Sequence, residues 1–146
     1  MKNDRNRIPV EERYVEALGR ATYVFATLEW NAVWCCERIK PGYVAKLGRK
    51  TAGDVARDLI SRLSRIGDVT VRQACNGPAH EFHRLVKVRN ALLHGKPGTA
   101  DDNAQRLFDQ GKPWSPEMID DAADEFAACS ITLNALLHGE LANPGT

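Results

Sequence analysis

Between Glu11 and Ile39 the apolar residues recur at helical spacing without a break, and Pro41-Gly42 closes the run. Tyr14, Leu18, Ala21, Phe25, Leu28, Ala32, Cys36 and Ile39 fall on one side at about 100° per residue, the pattern of a helix buried along a face. A helix of that length commits the rest of a 146-residue chain to covering it, which predicts a single helical domain. The same stretch carries a second set, Tyr23, Thr27, Trp30 and Trp34, on roughly the opposite face. Either the chain surrounds this helix on all sides, or the second face meets another subunit or a covering loop. Glu29 sits at the edge of the first set, where a carboxylate is either half-exposed or paired with a buried cation.

Residues 1–10 read as a flexible leader ahead of this helix. After it, a basic connector leads to Thr51 or Asp54, either of which can cap a helix through about Ile66, broken by Gly67-Asp68. Residues 69–75 begin Val-Thr-Val, which suggests a strand, but a lone strand would lack neighbours and a short helix is the better expectation. Asn76-Gly77-Pro78 predicts a stop and a fresh start, with the next helix running to Leu93 or His94. Residues 96–114 are rich in Pro, Gly, Asp and Asn and predict a long loop, with Ala104–Phe108 able to form a short hairpin arm. Ser115-Pro116-Glu117 opens a last helix that reaches Leu137 or His138 and is followed by Gly139 and Pro144. The expected fold is all-α: a four- to five-helix up-and-down bundle with a long loop or short hairpin between its last two helices.

Charge is unevenly placed. Residues 1–48 carry 8 Lys and Arg against 6 Asp and Glu, residues 49–96 carry 10 against 4, and residues 97–146 carry 2 against 9. The basic middle either serves a polyanionic partner or is neutralised within the fold by the acidic last third. The cysteines, Cys35, Cys36, Cys75 and Cys129, form no CxxC pair and read as small apolar residues in a reducing, cytoplasmic setting. No metal-ligand spacing stands out, no cofactor motif is present, no signal peptide is visible, and no apolar run is long enough to cross a bilayer.

The stretch Arg89-Asn90-Ala91-Leu92-Leu93-His94-Gly95 closes the patterned helix of the middle third. On a helical wheel Phe82, Leu85, Val86, Leu92 and Leu93 cluster within one arc, and Arg89 falls inside it. A guanidinium on an apolar face must be paired, must snorkel, or must face a polar cleft. His80, His83, Lys87, Asn90 and His94 form the polar stripe beside it. The hexapeptide Asn90–Gly95 recurs as Asn134-Ala135-Leu136-Leu137-His138-Gly139, where Leu133 stands in place of Arg89. A capping role for His before Gly would suit both copies, whereas chemistry that needs the Arg is open only to the first.

An Arg, a polar residue, a short spacer and a His at a helix end, behind a long first helix, resembles the HEPN superfamily of small helical proteins. The resemblance spans residues 11–138. It implies a metal-independent endoribonuclease, of the kind found in toxins and defence components, acting as a homodimer in which two Arg–His motifs form one cleft. It implies RNA as substrate and an antitoxin or a nucleotidyltransferase as partner. Arg89 would hold the scissile phosphate, His94 would act as general acid or base, and Asn90 would position these groups. Lys87, Lys96 and His83 are candidates for RNA contacts, and Glu29 for orienting Arg89. The products would be a 2′,3′-cyclic phosphate and a 5′-hydroxyl. The resemblance equally admits a non-catalytic module that binds RNA, a nucleotide or a protein.

Overall fold

A computed structural model describes residues 2–143; Pro144, named with Gly139 as following the last helix, lies outside them. Four helices form: α1 (Glu12–Ile39), α2 (Ala52–Arg62), α3 (Val69–Leu93) and α4 (Pro116–His138). A short 3-10 turn at Asp4–Arg7, exposed throughout, precedes α1 within the leader. The long side of α1 is buried as its spacing demands, with Tyr14, Ala21, Phe25, Leu28, Ala32 and Cys36 each at most 3% exposed.

The caps follow from local chemistry. Thr51 and Asp54 form a reciprocal capping box, with Asp54 N donating to Thr51 Oγ1 at 3.1 Å and Thr51 N donating to Asp54 Oδ2 at 3.0 Å. Ser115 Oγ accepts from Met118 N at 3.1 Å at the start of α4.

Three expectations are corrected. First, residues 69–75 are neither strand nor separate helix. Asp68 Oδ1 accepts from Thr70 N at 2.8 Å and Val71 N at 3.2 Å, and α3 then runs through Pro78 without stopping. Cys75, Ala79, Phe82 and Val86 are buried in one helical series that crosses the proline, so packing outweighs the hydrogen bond that Pro78 removes.

Second, the chain is not all-α. Residues 96–113 form an antiparallel meander of β1 (Lys96–Thr99), β2 (Gln105–Asp109) and β3 (Lys112–Pro113), so the long loop gives way to the hairpin alternative, with the expected arm Ala104–Phe108 falling largely in β2. The pairing sets Lys96 opposite Phe108 and Asp109 opposite Lys112. Gln110 and Gly111, at φ 50° and 79°, make the two-residue turn that a tight hairpin needs. Pro97 and Pro113 are tolerated because both lie in edge strands.

Third, the helices do not alternate up and down. Arg13 meets Asp120, Asn31 meets Ser130 and Arg38 meets Ala142, so α1 and α4 run parallel. Arg84 meets Glu125 and Cys129 meets Pro78, so α3 runs antiparallel to α4. The meander is what carries the chain from the end of α3 back to the start of α4.

One hydroxyl seats the meander on the bundle. Tyr14 Oη accepts from Leu107 N at 2.9 Å and donates to Trp114 O at 2.9 Å. Arg106 lies 4.7 Å over the Tyr14 ring and donates to Glu11 Oε1 at 2.9 Å. Tyr14→Phe keeps the ring and strands both backbone groups. The expected loss is about 1–3 kcal/mol of stability in urea unfolding, with faster amide exchange at Leu107. Unchanged exchange at Leu107 would show that the hydroxyl does not hold the hairpin.

Candidate functional site

The last two turns of α3 place Arg89 as the wheel predicts, on the side that buries Phe82, Leu85, Val86 and Leu92. Its guanidinium carbon lies 4.5 Å above the centre of the Phe25 ring on α1. Phe25 in turn stacks on Phe82 at 6.1 Å and meets the edge of Phe126 at 5.1 Å, so the ring under Arg89 is held from three helices. A planar cation on an aromatic face is a stable way to keep a charge beside a core.

Arg89 forms no ion pair and donates no hydrogen bond among the described residues. Its Nε is cut off from solvent without a partner, and the outer end of the fork is the part that water can reach. The expected pairing with Glu29 is therefore indirect. Glu29 is half-buried one turn from Phe25; burial raises its carboxyl pKa, and the positive charge of Arg89 pulls it partly back. Sequence reasoning named Glu29 and missed Phe25. The signal was present, because Phe25 and Glu29 stand four apart on α1 and so present neighbouring side chains.

Asn90 is half-buried and His94 is exposed. His94 ends the helix, its backbone N–H donating to Asn90 O at 2.9 Å. On α3, His83, Lys87, Asn90 and His94 recur at 4, 3 and 4 residues and share one stripe beside Arg89, half-buried at His83 and Asn90 and exposed at Lys87 and His94. Lys96 is exposed two residues beyond, in β1. One chain thus brings Arg89, Phe25 and Glu29 together, and lines the polar stripe alongside them. It does not turn the His94 and Arg89 side chains to the same side of the helix.

The glycine after the histidine has a different role from the one expected. Gly95 is not in a left-handed conformation. A Cβ at this position would stand 3.0 Å from Leu107 Cβ and 3.0 Å from Leu92 O, so Gly95 is what lets β2 close against the helix end. The second copy ends its helix in the same way. Gly95 N donates to Leu92 O at 3.1 Å and Gly139 N donates to Leu136 O at 3.2 Å. Helix termination therefore accounts for both His–Gly pairs and leaves Arg89 as the distinguishing residue.

Three of the ten Lys and Arg in residues 49–96 form ion pairs among the described residues. Lys50 meets Asp58, Arg57 meets Asp54, and Arg84 meets both Glu81 and Glu125. Lys87, Arg89 and Lys96 form no ion pair among the described residues, and neither do Arg49, Arg62, Arg65 and Arg72, so unpaired positive charge runs along this whole segment and includes the α3 end. Among the described residues no group of three or more His, Cys, Asp or Glu could hold a metal ion, and no helix is long and apolar enough to cross a membrane. Comparison with protein-family models, curated proteins and solved structures finds no match, so the HEPN resemblance rests on these residues alone.

The raised Glu29 carboxyl has a consequence for stability. The folded protein retains a proton above pH 4.5, where the unfolded chain has released it, so this group's contribution falls as pH rises from 4.5 through the folded value. Glu29→Gln removes that ionisation, and urea midpoints from about pH 4 to 8 should then decline less steeply than in the wild type. An identical slope in both proteins would mean that Glu29 titrates as a solvated glutamate.

Proposed function

We propose that the chain is a metal-independent endoribonuclease of HEPN type that cleaves RNA to 2′,3′-cyclic phosphate and 5′-hydroxyl ends. The observation that carries this reading is Arg89: a guanidinium stacked on Phe25, in no ion pair among the described residues, its outer donors open to solvent, on the same helix end as Asn90 and His94. An unpaired cation at the edge of a core suits an anion that is absent from the folded chain, and a phosphodiester is the anion that the adjoining Lys87 and Lys96 would also favour.

In this reading Arg89 binds the scissile phosphate and stabilises the charge that builds up on it. His94, whose imidazole makes no hydrogen bond among the described residues, moves the proton of the ribose 2′-hydroxyl or of the leaving 5′-oxygen. Asn90 positions the phosphate, His83, Lys87 and Lys96 contact the RNA backbone, and Glu29 tunes Arg89 at short range. Because Arg89 and His94 diverge around one helix, the working cleft is shared by two copies, with the Arg of one facing the His of the other. Leu93, exposed between them, supplies apolar contact for that meeting. Toxin or defence activity, and an antitoxin or nucleotidyltransferase partner, belong to the same proposal through the resemblance.

A second reading, a binding module without catalysis, draws on the same divergence, since a chain that never pairs its motifs would hold RNA and leave it uncut. Incubation of purified protein with single-stranded RNA in EDTA separates the two. Cleavage is expected, with Arg89→Ala and His94→Ala each slowing it by about 100-fold or more and His138→Ala leaving it unchanged. Tight RNA binding without cleavage would establish the module instead. Equal loss from His138→Ala in folded protein would remove the special role of the first motif.

A further inference from the structure

Tyr23, at 76% exposure, and Ile131, at 71%, are the most exposed large apolar residues among the described residues. They lie on one face. Tyr23, Thr27, Trp30 and Trp34 follow each other up the outer side of α1, with Trp30 and Trp34 in edge-to-face contact at 6.2 Å. Asn31 Nδ2 donates to Ser130 Oγ at 2.9 Å and to Ser130 O at 3.2 Å, which sets the Ile131 turn of α4 beside the Thr27–Trp34 turns of α1. Taking roughly 250 Å² for an aromatic side chain, exposures of 76%, 49% and 37% leave on the order of 400 Å² on Tyr23, Trp30 and Trp34. Patches of that size mark interaction sites.

This face is not the one that would join the Arg89 motifs. Arg89 rests on Phe25 and acts on Glu29, which lie toward the core side of α1, whereas Tyr23 and Trp34 point away from it. The aromatic face therefore needs an occupant of its own.

We propose that the occupant is a second copy of this chain, packed α1 against α1 in antiparallel fashion about a twofold axis at Thr27. The order of residues on this face is self-complementary. With Thr27 opposite itself, Tyr23 faces the Trp30–Asn31 turn, Arg20 faces Trp34, and Glu16 faces Arg38. Aromatic therefore meets aromatic, a guanidinium meets an indole, and a carboxylate meets a guanidinium. In the single chain Arg20 has only an exposed contact with Glu16 at 3.7 Å, and Arg38 uses one donor on Ala142 O, so both have capacity left. Thr27 is small and folds its hydroxyl back toward Tyr23 O at 3.4 Å, which allows close approach at the axis. A shallow crossing near 20° keeps contact along this length.

A nucleic acid strand fits this face poorly. Glu12 and Glu16 stand at its start, and the adjoining hollow between α1 and α4 sets Glu16, Asp120 and Asp124 against Arg13 and Arg20, a mixed charge that offers a phosphate backbone no net attraction. Arg5 of the leader borders the hollow that contains Glu12 and Glu16 and offsets only part of that charge.

The test uses the full chain and reads the α1 face, not RNA cleavage: association that persists without this face leaves the ribonuclease proposal standing, whereas a monomer counts against both. Thr27→Cys, on the axis, should form an intermolecular disulfide under mild oxidation; Asp101→Cys, far from it, should not. The native cysteines are buried, which keeps the background low. Sedimentation equilibrium should show that Glu16→Arg weakens self-association by about tenfold and that adding Arg38→Glu restores it. Tyr23→Arg should abolish association through this face while circular dichroism stays unchanged, because Tyr23 is exposed in the single chain. A monomer at about 100 µM would overturn the proposal. So would association untouched by Tyr23→Arg, or cross-linking at Asp101 equal to that at Thr27.

Discussion

The side of α1 that carries Tyr14, Ala21, Phe25, Leu28, Ala32 and Cys36 is buried from end to end, and the other elements are placed by how they cover it. α4 runs beside it in parallel, α3 crosses in the opposite sense, and the meander sits over its first turns through Tyr14. Removal of this much apolar surface from water is the largest favourable term available to the chain. It also sets the site. The Phe25 ring belongs to the core from below and to Arg89 from above, so the same residue that closes the bundle holds the guanidinium at its edge.

What could be read in advance followed from periodicity and caps. The extent of α1, the Ser115 start of α4, the end of α3 at His94 and the apolar placement of Arg89 all come from spacing and local chemistry. The errors have a common cause, since tertiary contacts decided them. Pro78 stays within α3 because Cys75, Ala79 and Phe82 are buried on both sides of it. The meander exists because Tyr14, some 90 residues earlier, satisfies its backbone; nothing within residues 96–113 announces that partner. In the site, Glu29 was visible as an oddly placed carboxylate, whereas Phe25 looked like any other core residue.

Two surfaces of α1 thus carry distinct roles. The inner edge shapes the surroundings of Arg89, and the outer face presents aromatic residues. If both proposed contacts form, each is isologous, and two twofold axes on one chain close into a tetramer with dihedral symmetry where they intersect at right angles. Such an assembly would tie the spacing of catalytic clefts to the stiffness of α1, a single helix buried along its full length.

The close approach at Gly95 bears on how this protein can change over generations. β2 lies so near the helix end that even a methyl group would crowd Leu107 Cβ and Leu92 O at 3.0 Å and force one of them to shift. The glycine is thus demanded by the seating of the meander, whatever the histidine before it does. A lineage that abandoned the chemistry could exchange His94, an exposed side chain, at little cost to folding, and would still keep the glycine. Sequence drift would then erase the proposed activity while leaving the end of the motif in place, so in this fold the glycine records architecture, and only Arg89 and His94 together would record the proposed function.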